Sequence, residues 1–188
     1  MFSEQDFGMF VHALRFAADK HQSQRRKGST QLPYVNHLIR VTDILWRVGE
    51  VRDVSTLLAA LLHDTLEDTN TTAGELEALF GAEVLAIVQE VTDDKTLPKA
   101  TRKQLQIEHA PYLSNDARLI KLADKIDNVY DVSHDPPKDW PHERMVAYLD
   151  WAEAVVAGLR GVNTALEAHF DAVLCAAREI LESPRAME

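Results

Sequence analysis

Residues 57–69 read LLAALLHDTLEDT, six apolar residues followed at once by His63 and Asp64. An unbroken apolar run of this kind is typical of a helix that is buried on every side. Burying an imidazole and a carboxylate at its end is costly unless another group compensates for their lost hydration. A divalent cation would do so, and ligands without sulfur suit Mn²⁺ or Fe²⁺ better than structural zinc. The dipeptide alone leaves two interpretations open, a metal site and a hydrogen-bonded helix cap.

The next residues favour the metal site. Glu67 and Asp68 follow His63 and Asp64 by four positions, so each would lie beside its predecessor if the helix continues for one more turn. Three carboxylates and one imidazole would then share a small volume. Like charges at that density repel one another, and a bound cation is the simplest way to relieve the repulsion.

Two further ligand candidates lie in comparable apolar surroundings. His37 falls early in a predicted second helix, beside Leu38, and Asp124 follows the mostly apolar stretch 119–123. Each has an ordinary explanation by itself, since His37 could be a core histidine and Asp124 could form a salt bridge with a neighbouring lysine. Three such coincidences in one chain favour a shared metal centre.

Helical spacing of apolar residues dominates the rest of the chain, and no segment shows convincing two-residue alternation. Thr72 and Gly81 carry the start and stop signals of a short helix. The chain of 188 residues shows no repeat or composition shift. We therefore predict an all-α fold, a compact multi-helix bundle forming one domain over residues 1–188, with a core of about 7–166 and a C-terminal helix to about 182. The predicted helices cover roughly 7–18, 35–48, 54–65, 72–80, 83–91, 118–132, 145–159 and 166–181.

Composition narrows the classes of partner and compartment. The formal net charge of −10 disfavours nucleic acid, which is bound largely through its phosphates. Clustered basic residues at 20–27 and 95–103 could still form a local pocket for a small polyphosphate. Residues 1–10 lack the basic start of a signal peptide, and no apolar run is long enough to span a membrane. We expect a cytoplasmic protein with no membrane or nucleic-acid partner, and an inert, buried thiol at Cys175.

The residues His37, His63, Asp64 and Asp124 resemble the pattern of the HD superfamily of metal phosphohydrolases. More narrowly, several stretches resemble the hydrolase domain of the RelA/SpoT family, and two resemble the stand-alone small alarmone hydrolases, which include metazoan SpoT homologues. The resemblance extends from about residue 7 to 166. The first group comprises ADKHQSQRRKG (18–28), PYVNH (33–37), AALLHDTLEDT (59–69) and KLAD (121–124), and the second comprises VTDDKTLPKATRK (91–103) and WAEAVVAGLRGVN (151–163).

The resemblance implies a function and a set of site residues. It implies hydrolysis of guanosine tetra- or pentaphosphate to GDP or GTP and pyrophosphate, usually with one Mn²⁺ per site. The implied metal ligands are His37, His63, Asp64 and Asp124, and the implied catalytic pair is Glu67 and Asp68. The implied substrate-binding residues are Arg26, Lys27, Lys99, Asn128, Arg144 and Tyr148.

Two departures from the family pattern and several alternatives remain. Leu38 replaces a usual proline after the metal histidine, and Tyr130 replaces a commonly basic residue. The chain is too short for a synthetase domain, so we expect hydrolysis only. The same metal site could act on another phosphorylated nucleotide such as NADPH, or the chain could be an inactive alarmone-binding module. The resident metal, the choice between tetra- and pentaphosphate, and the oligomeric state, a homo-oligomer included, stay open.

Overall fold

The computed structural model describes residues 3–183, which form ten α-helices and a short 3₁₀ helix. Within this range β structure is limited to two isolated bridges, so the all-α prediction is confirmed. The first two and last five residues of the predicted domain lie outside the described range. No described helix combines the length and the hydropathy that crossing a bilayer requires. The helices are α1 (Glu4–Lys20), α2 (Val35–Arg47), α3 (Val54–Leu62), α4 (Thr65–Asp68), α5 (Ala73–Phe80), α6 (Ala82–Val91), α7 (Lys99–His109), the 3₁₀ helix (Ala110–Tyr112), α8 (Asn115–His134), α9 (His142–Leu159) and α10 (Thr164–Glu182).

Helix α3 is the centre of the bundle. Every residue from Thr56 to Leu62 is buried, as the apolar run predicts. Helices α1, α2, α6 and α8 pack around it, and α8 in turn contacts α9 and α10. The polar residues that follow α3 are therefore delivered to the interior, next to the middle of α8.

The helix signals at Thr72 and Gly81 are confirmed. The Thr72 hydroxyl accepts the amide hydrogen of Glu75 at 3.1 Å and begins α5. Gly81 ends α5 with φ of 89°, a left-handed conformation that glycine adopts without a steric penalty.

Helix α3 ends at Leu62, three residues earlier than predicted, and the four-residue α4 follows. The His63 ring bonds to the carbonyl oxygen of Ala60, and the Thr65 hydroxyl donates to that of Leu62. Such side-chain bonds compete with the regular helical ladder and explain the break. The Asp68 amide still donates to the carbonyl oxygen of Asp64 at 2.8 Å, so the four-residue relationship between these two acids is kept.

Cys175 is exposed, so the prediction of a buried core thiol was wrong. The residues of α10 that face the core are Leu166, Phe170, Leu174, Ala177 and Leu181. Cys175 follows Leu174 by one position, which is about 100° around the helix and off that stripe.

Candidate metal centre and active-site cleft

The four predicted metal ligands lie together at the centre of the bundle. One ligand atom each from His37, His63 and Asp124 fall within 4.8 Å of one another. The distance from His37 Nε2 to Asp124 Oδ1 is 3.2 Å, and that from His63 Nε2 to the same oxygen is 3.9 Å. Asp64 Oδ2 lies 3.2 Å from His63 Nε2 and 3.7 Å from His37 Nε2. Helices α2 and α8 and the turn after α3 thus bring the four side chains to one point.

The two imidazoles are oriented as metal ligands. The Nδ1 atom of His63 is 2.8 Å from the carbonyl oxygen of Ala60 and acts as the donor, while its buried Nε2 has no hydrogen-bond partner of suitable geometry. Nδ1 of His37 is 2.6 Å from Asp127 Oδ2, which leaves Nε2 facing the cluster. Metal-binding histidines usually donate one ring N–H to an oxygen in this way and coordinate through the other nitrogen. The residues therefore fit a divalent cation.

A network of opposite charges supports His37 from behind. Asp127 is 3% exposed, and its Oδ1 accepts from Arg40 Nε at 2.5 Å. Arg40 also donates to Asp131 at 2.9 Å. The hydrogen bonds from His37 and Arg40 outweigh the effect of burial and hold the pKa of Asp127 below its usual value. Asp127 therefore stays ionised and fixes the tautomer of His37.

Three further side chains hold the carboxylates of Asp64 and Asp124. The Tyr34 hydroxyl donates to Asp64 Oδ2 at 2.6 Å. Lys125 Nζ donates to Asp124 Oδ2 at 2.8 Å, and Asn128 Nδ2 donates to Asp124 Oδ1 at 2.5 Å. These bonds fix both carboxylates in orientations that face the imidazoles.

The electrostatics of the cluster favour a positive charge at its centre. Burial lowers the pKa of His63, but the charges of Asp64 and Asp124 outweigh it and raise that pKa to about 9. Burial raises the pKa of Asp64, and His63 and His37 more than reverse this, so the pKa lies below its usual value. A divalent cation would supply the charge that the two acids attract.

Glu67 and Asp68 lie on the cleft side of the cluster. Glu67 Oε2 accepts the backbone N–H of Asp93 at 3.1 Å, while Asp68 pairs with Lys95. Burial raises the pKa of Glu67, and the negative charges of Asp93 and Asp64 add to the increase, although the bond from the Asp93 amide opposes it. A carboxylate with a raised pKa is a better proton acceptor than an ordinary one.

A cleft of about 480 Å³ opens above these residues. Ten of the 20 lysine and arginine residues line it, against seven of the 30 acidic residues. The cations of the cleft lie close enough to affect one another. The pKa of Lys99 is lowered first by burial and then by the charges of Arg144, Lys27 and Arg102. An acidic protein therefore carries a local site for an anion. All of the predicted substrate-binding residues line it, namely Arg26, Lys27, Lys99, Asn128, Arg144 and Tyr148.

Arg26 is already engaged on one side. Its guanidinium donates to Asp131 at 2.9 Å and to Asn128 Oδ1 at 2.8 Å, and the side chain is only 12% exposed. Lys27, by contrast, is exposed at the cleft. The loop that carries both is fastened to the end of α8, where Asp135 accepts from Ser29 Oγ at 2.6 Å.

Several residues of the site were missed or differently interpreted from the sequence. Tyr34 directly follows a proline, a setting in which an aromatic side chain ordinarily packs, yet its hydroxyl donates to Asp64. The sequence signals that could have placed Tyr34 at the site were Pro33 directly before it and the candidate ligand His37 three positions after it. Trp140 and Trp151 line the cleft, with Arg144 lying 4.4 Å from the Trp140 ring. Trp151 falls in the amphipathic pattern of α9, where core packing is the ordinary expectation, and Trp140 lies in the loop before α9, where no sequence pattern points to the cleft.

Neither of the two departures from the family pattern lines the cleft. Leu38 is fully buried inside α2, and His37 keeps its place beside it. Tyr130 is 47% exposed and stacks on His134 with ring centroids 3.9 Å apart. It does not line the cleft.

Two imidazoles and two carboxylates contributed by the helices of an all-α bundle define a class of metal-binding domain. A family model described as HD domain matches residues 13–149, and the chain belongs to this family.

Comparison with similar proteins indicates which branch of the HD-domain family the chain resembles. The chain is 51% identical over 166 residues to a Xenopus tropicalis protein named guanosine-3′,5′-bis(diphosphate) 3′-pyrophosphohydrolase MESH1, covering 88% of this chain and 93% of the relative. It is 51% identical over 157 residues to the human protein of the same name, covering 84% and 88%. A solved metazoan orthologue of SpoT, described as hydrolysing ppGpp, is similar with a TM-score of 0.87 and 47% identity over 89% of this chain and 94% of its own. The resemblance to this branch of the RelA/SpoT hydrolases is confirmed.

Proposed function

We propose that the chain is a cytoplasmic, metal-dependent guanosine-3′,5′-bis(diphosphate) 3′-pyrophosphohydrolase, which converts guanosine tetra- or pentaphosphate to GDP or GTP and pyrophosphate. One observation carries this function above all. The cluster of His37, His63, Asp64 and Asp124 lies at the floor of a cleft lined by ten basic residues. The relatives that share about half of the sequence over nearly the whole chain carry the same activity in their names.

His37, His63, Asp64 and Asp124 would hold one divalent ion, which we propose to be Mn²⁺. Nitrogen and oxygen ligands without sulfur suit this ion. When bound, such an ion makes water a stronger acid and withdraws negative charge from phosphoryl oxygens. The unpartnered Nε2 of His63 supports this assignment, because a buried nitrogen without a partner is costly.

The residues of the cleft would then divide the work on the substrate. A water oxygen bonds to the phosphorus attached to the 3′ oxygen, and the bond between that phosphorus and the 3′ oxygen breaks. Glu67 accepts a proton from the water, which its raised pKa favours, and Asp68 orients the water or assists protonation of the leaving oxygen. Arg26 and Lys27 stabilise negative charge on the reacting phosphate.

The remaining cleft residues would bind the rest of the nucleotide. Lys99 and Arg144 are cations at the cleft, and the pKa of Lys99 is lowered first by burial and then by the neighbouring cations, whose repulsion an anionic ligand would relieve. Asn128 would contact the nucleotide. Because its side-chain amide also donates to Asp124, it would link the bound nucleotide to the metal centre. Tyr148 lies between Trp140 and Trp151, with ring centroids 5.6 and 5.3 Å away, and would present an aromatic surface.

The test is incubation with guanosine tetraphosphate and Mn²⁺, with separate measurement of pyrophosphate, phosphate and bound metal. We expect wild type to release GDP and pyrophosphate. His63→Ala should lose metal and activity together, whereas Glu67→Ala should keep metal and lose turnover. Equal activity of the three proteins would contradict the proposal. Release of phosphate from NADPH instead would identify the alternative nucleotide phosphatase, and binding without turnover would identify an alarmone-binding module.

A further inference from the structure

A second, smaller cavity of about 200 Å³ lies beside the active-site cleft. The two cavities share a wall of four polar side chains, those of Asp93, Arg102, Gln106 and Lys121. Asp93 belongs to the loop after α6, and Arg102 and Gln106 belong to α7. We call these four residues the polar wall. None of them is among the site residues that the family resemblance implies, although Asp93, Arg102 and Lys121 fall within the stretches that carry it.

Both oxygens of Glu67 are held by the polar wall. Oε2 accepts the Asp93 backbone N–H at 3.1 Å, and Oε1 lies 3.4 Å from Arg102 Nη1. Asp93 is fixed in turn, because its Oδ2 accepts from Gln106 Nε2 at 2.7 Å and lies 4.0 Å from Arg102 Nη1. Two donors on different oxygens restrict both the position and the plane of the carboxylate.

Arg102 is better placed to do this than the other nearby cation. Lys95 Nζ is 4.0 Å from Glu67 Oε1, but its side chain is 47% exposed and pairs with Asp68. The Arg102 side chain is 24% exposed, and its Nε is fully buried without a protein partner. Gln106 Oε1, one helical turn further along α7, is also buried and unpartnered. Arg102 is therefore the less exposed of the two cations near Glu67, and it pairs with Glu67 and Asp93 rather than with Asp68.

We infer that Arg102 is a positioning residue that, together with the Asp93 amide, fixes the orientation of the Glu67 carboxylate in the cleft that Asp64 and Asp124 also line. The inference rests on the proposed function, since it is Glu67 in its role as proton acceptor that is positioned. A general base acts only within hydrogen-bond reach of the proton that it takes, so freedom of its carboxylate lowers turnover more than binding. An arginine that only contacted substrate phosphate would affect binding instead.

The test compares kcat and KM of Arg102→Ala with those of wild type and of Gln104→Ala. Gln104 is exposed on the same helix, bonds to Glu108, and lines neither cavity. We expect Arg102→Ala to lower kcat by about tenfold or more with KM within about twofold, and to leave bound metal unchanged. Arg102→Lys, which keeps a donor, should recover part of kcat, and Gln104→Ala should behave like wild type. A raised KM with unchanged kcat would overturn the inference, as would unchanged values of both.

A second background separates positioning from a general loss of structure. Glu67→Asp keeps a carboxylate but shortens it, so that it no longer reaches Arg102. In this background Arg102→Ala should lower kcat by no more than about twofold, because the contact is already lost. The full effect of Arg102→Ala in this background would overturn the inference. If Arg102→Ala fails to fold, Arg102→Gln takes its place. Failure of the proposed function appears separately, as a wild type that does not hydrolyse guanosine tetraphosphate.

Discussion

Replacing Asp127 by asparagine tests whether the metal centre depends on the side chains behind its ligands. Asp127 is nearly fully buried, accepts from His37 Nδ1 at 2.6 Å and accepts from Arg40 Nε at 2.5 Å. Asparagine has almost the same shape, but it is neutral and has only one acceptor oxygen. Its amide nitrogen is a donor and would face another donor, either His37 or Arg40. The substitution therefore weakens the support of one metal ligand without removing the ligand.

The expected size of the effect follows from these contacts. Loss of an outer partner of a metal-binding histidine typically lowers metal affinity by about 10- to 100-fold, or about 1.4 to 2.8 kcal/mol. The free energy of unfolding should also fall. Breaking a fully buried ion pair costs roughly 3–5 kcal/mol, and the loss here should be smaller because the Arg40 side chain is 35% exposed. The folded-state pKa of Asp127 is lowered, so its contribution to stability is present above the unfolded pKa of about 3.9 and is lost as pH falls.

Titration of metal-stripped protein with Mn²⁺, and thermal unfolding at pH 7 and at pH 3 to 4, measure both effects. Asp131→Asn is the matched control, since Asp131 pairs with Arg40 and Arg26 without touching His37. We expect Asp127→Asn to weaken Mn²⁺ binding far more than the control, and its stability deficit to shrink toward the acidic end. Wild-type metal affinity in Asp127→Asn, or equal weakening by both variants, would refute this account of how His37 is held.

Three other substitutions test the cleft, its loop and the core. Burial and neighbouring cations lower the pKa of Lys99, so its side chain loses its charge at a pH below the ordinary value of 10.5. Lys99→Arg should therefore move the alkaline fall of kcat/KM to higher pH. An unchanged pH profile would contradict this. A Cβ atom at Gly28 would lie 2.5 Å from the backbone oxygen of Asp135, so Gly28→Ala should displace the loop that carries Lys27. We expect kcat/KM to fall by about tenfold or more. Wild-type kinetics would show that the position of this loop does not matter for the reaction. Phe170 is fully buried, and Phe170→Ala should lower the free energy of unfolding in a denaturant titration by about 3–5 kcal/mol; a loss under about 1 kcal/mol would mean that the site repacks.

The candidate metal ligands could be picked out one by one from the sequence because the signal for each is local. A histidine and an aspartate directly after a helix that is buried all round are expected to lie in or next to the core, where the loss of hydration is costly, and His63 is indeed buried while Asp64 is partly buried. Asp124 carries the same signal inside α8. The convergence of the three segments could not be read from spacing alone, and it was the family resemblance that joined them.

The polar wall could not be predicted, because its contacts join distant segments through a helix without a clear pattern. The large apolar residues of α7 are Leu105 and Ile107, which are two positions apart, so the helix lacks the three- and four-residue spacing by which amphipathic helices are recognised. Arg102 and Glu67 are 35 positions apart, and nothing in the sequence pairs them. The sequence therefore showed Arg102 only as one member of a basic cluster.

Helix α8 did carry an unused signal, and it explains why the site is organised as it is. Asp124, Asp127, Asn128 and Asp131 are spaced by three and four residues, so they share one face of the helix. Asp124 is one of the four candidate metal ligands, Asp127 supports His37, and Asn128 and Asp131 both accept from Arg26. One face of one helix thus fixes a ligand, the orientation of another ligand, and a cation of the cleft. Because the three functions share a helix, a small rotation of α8 would disturb them together, and the close packing of α8 against α2 and α10 is what prevents that rotation.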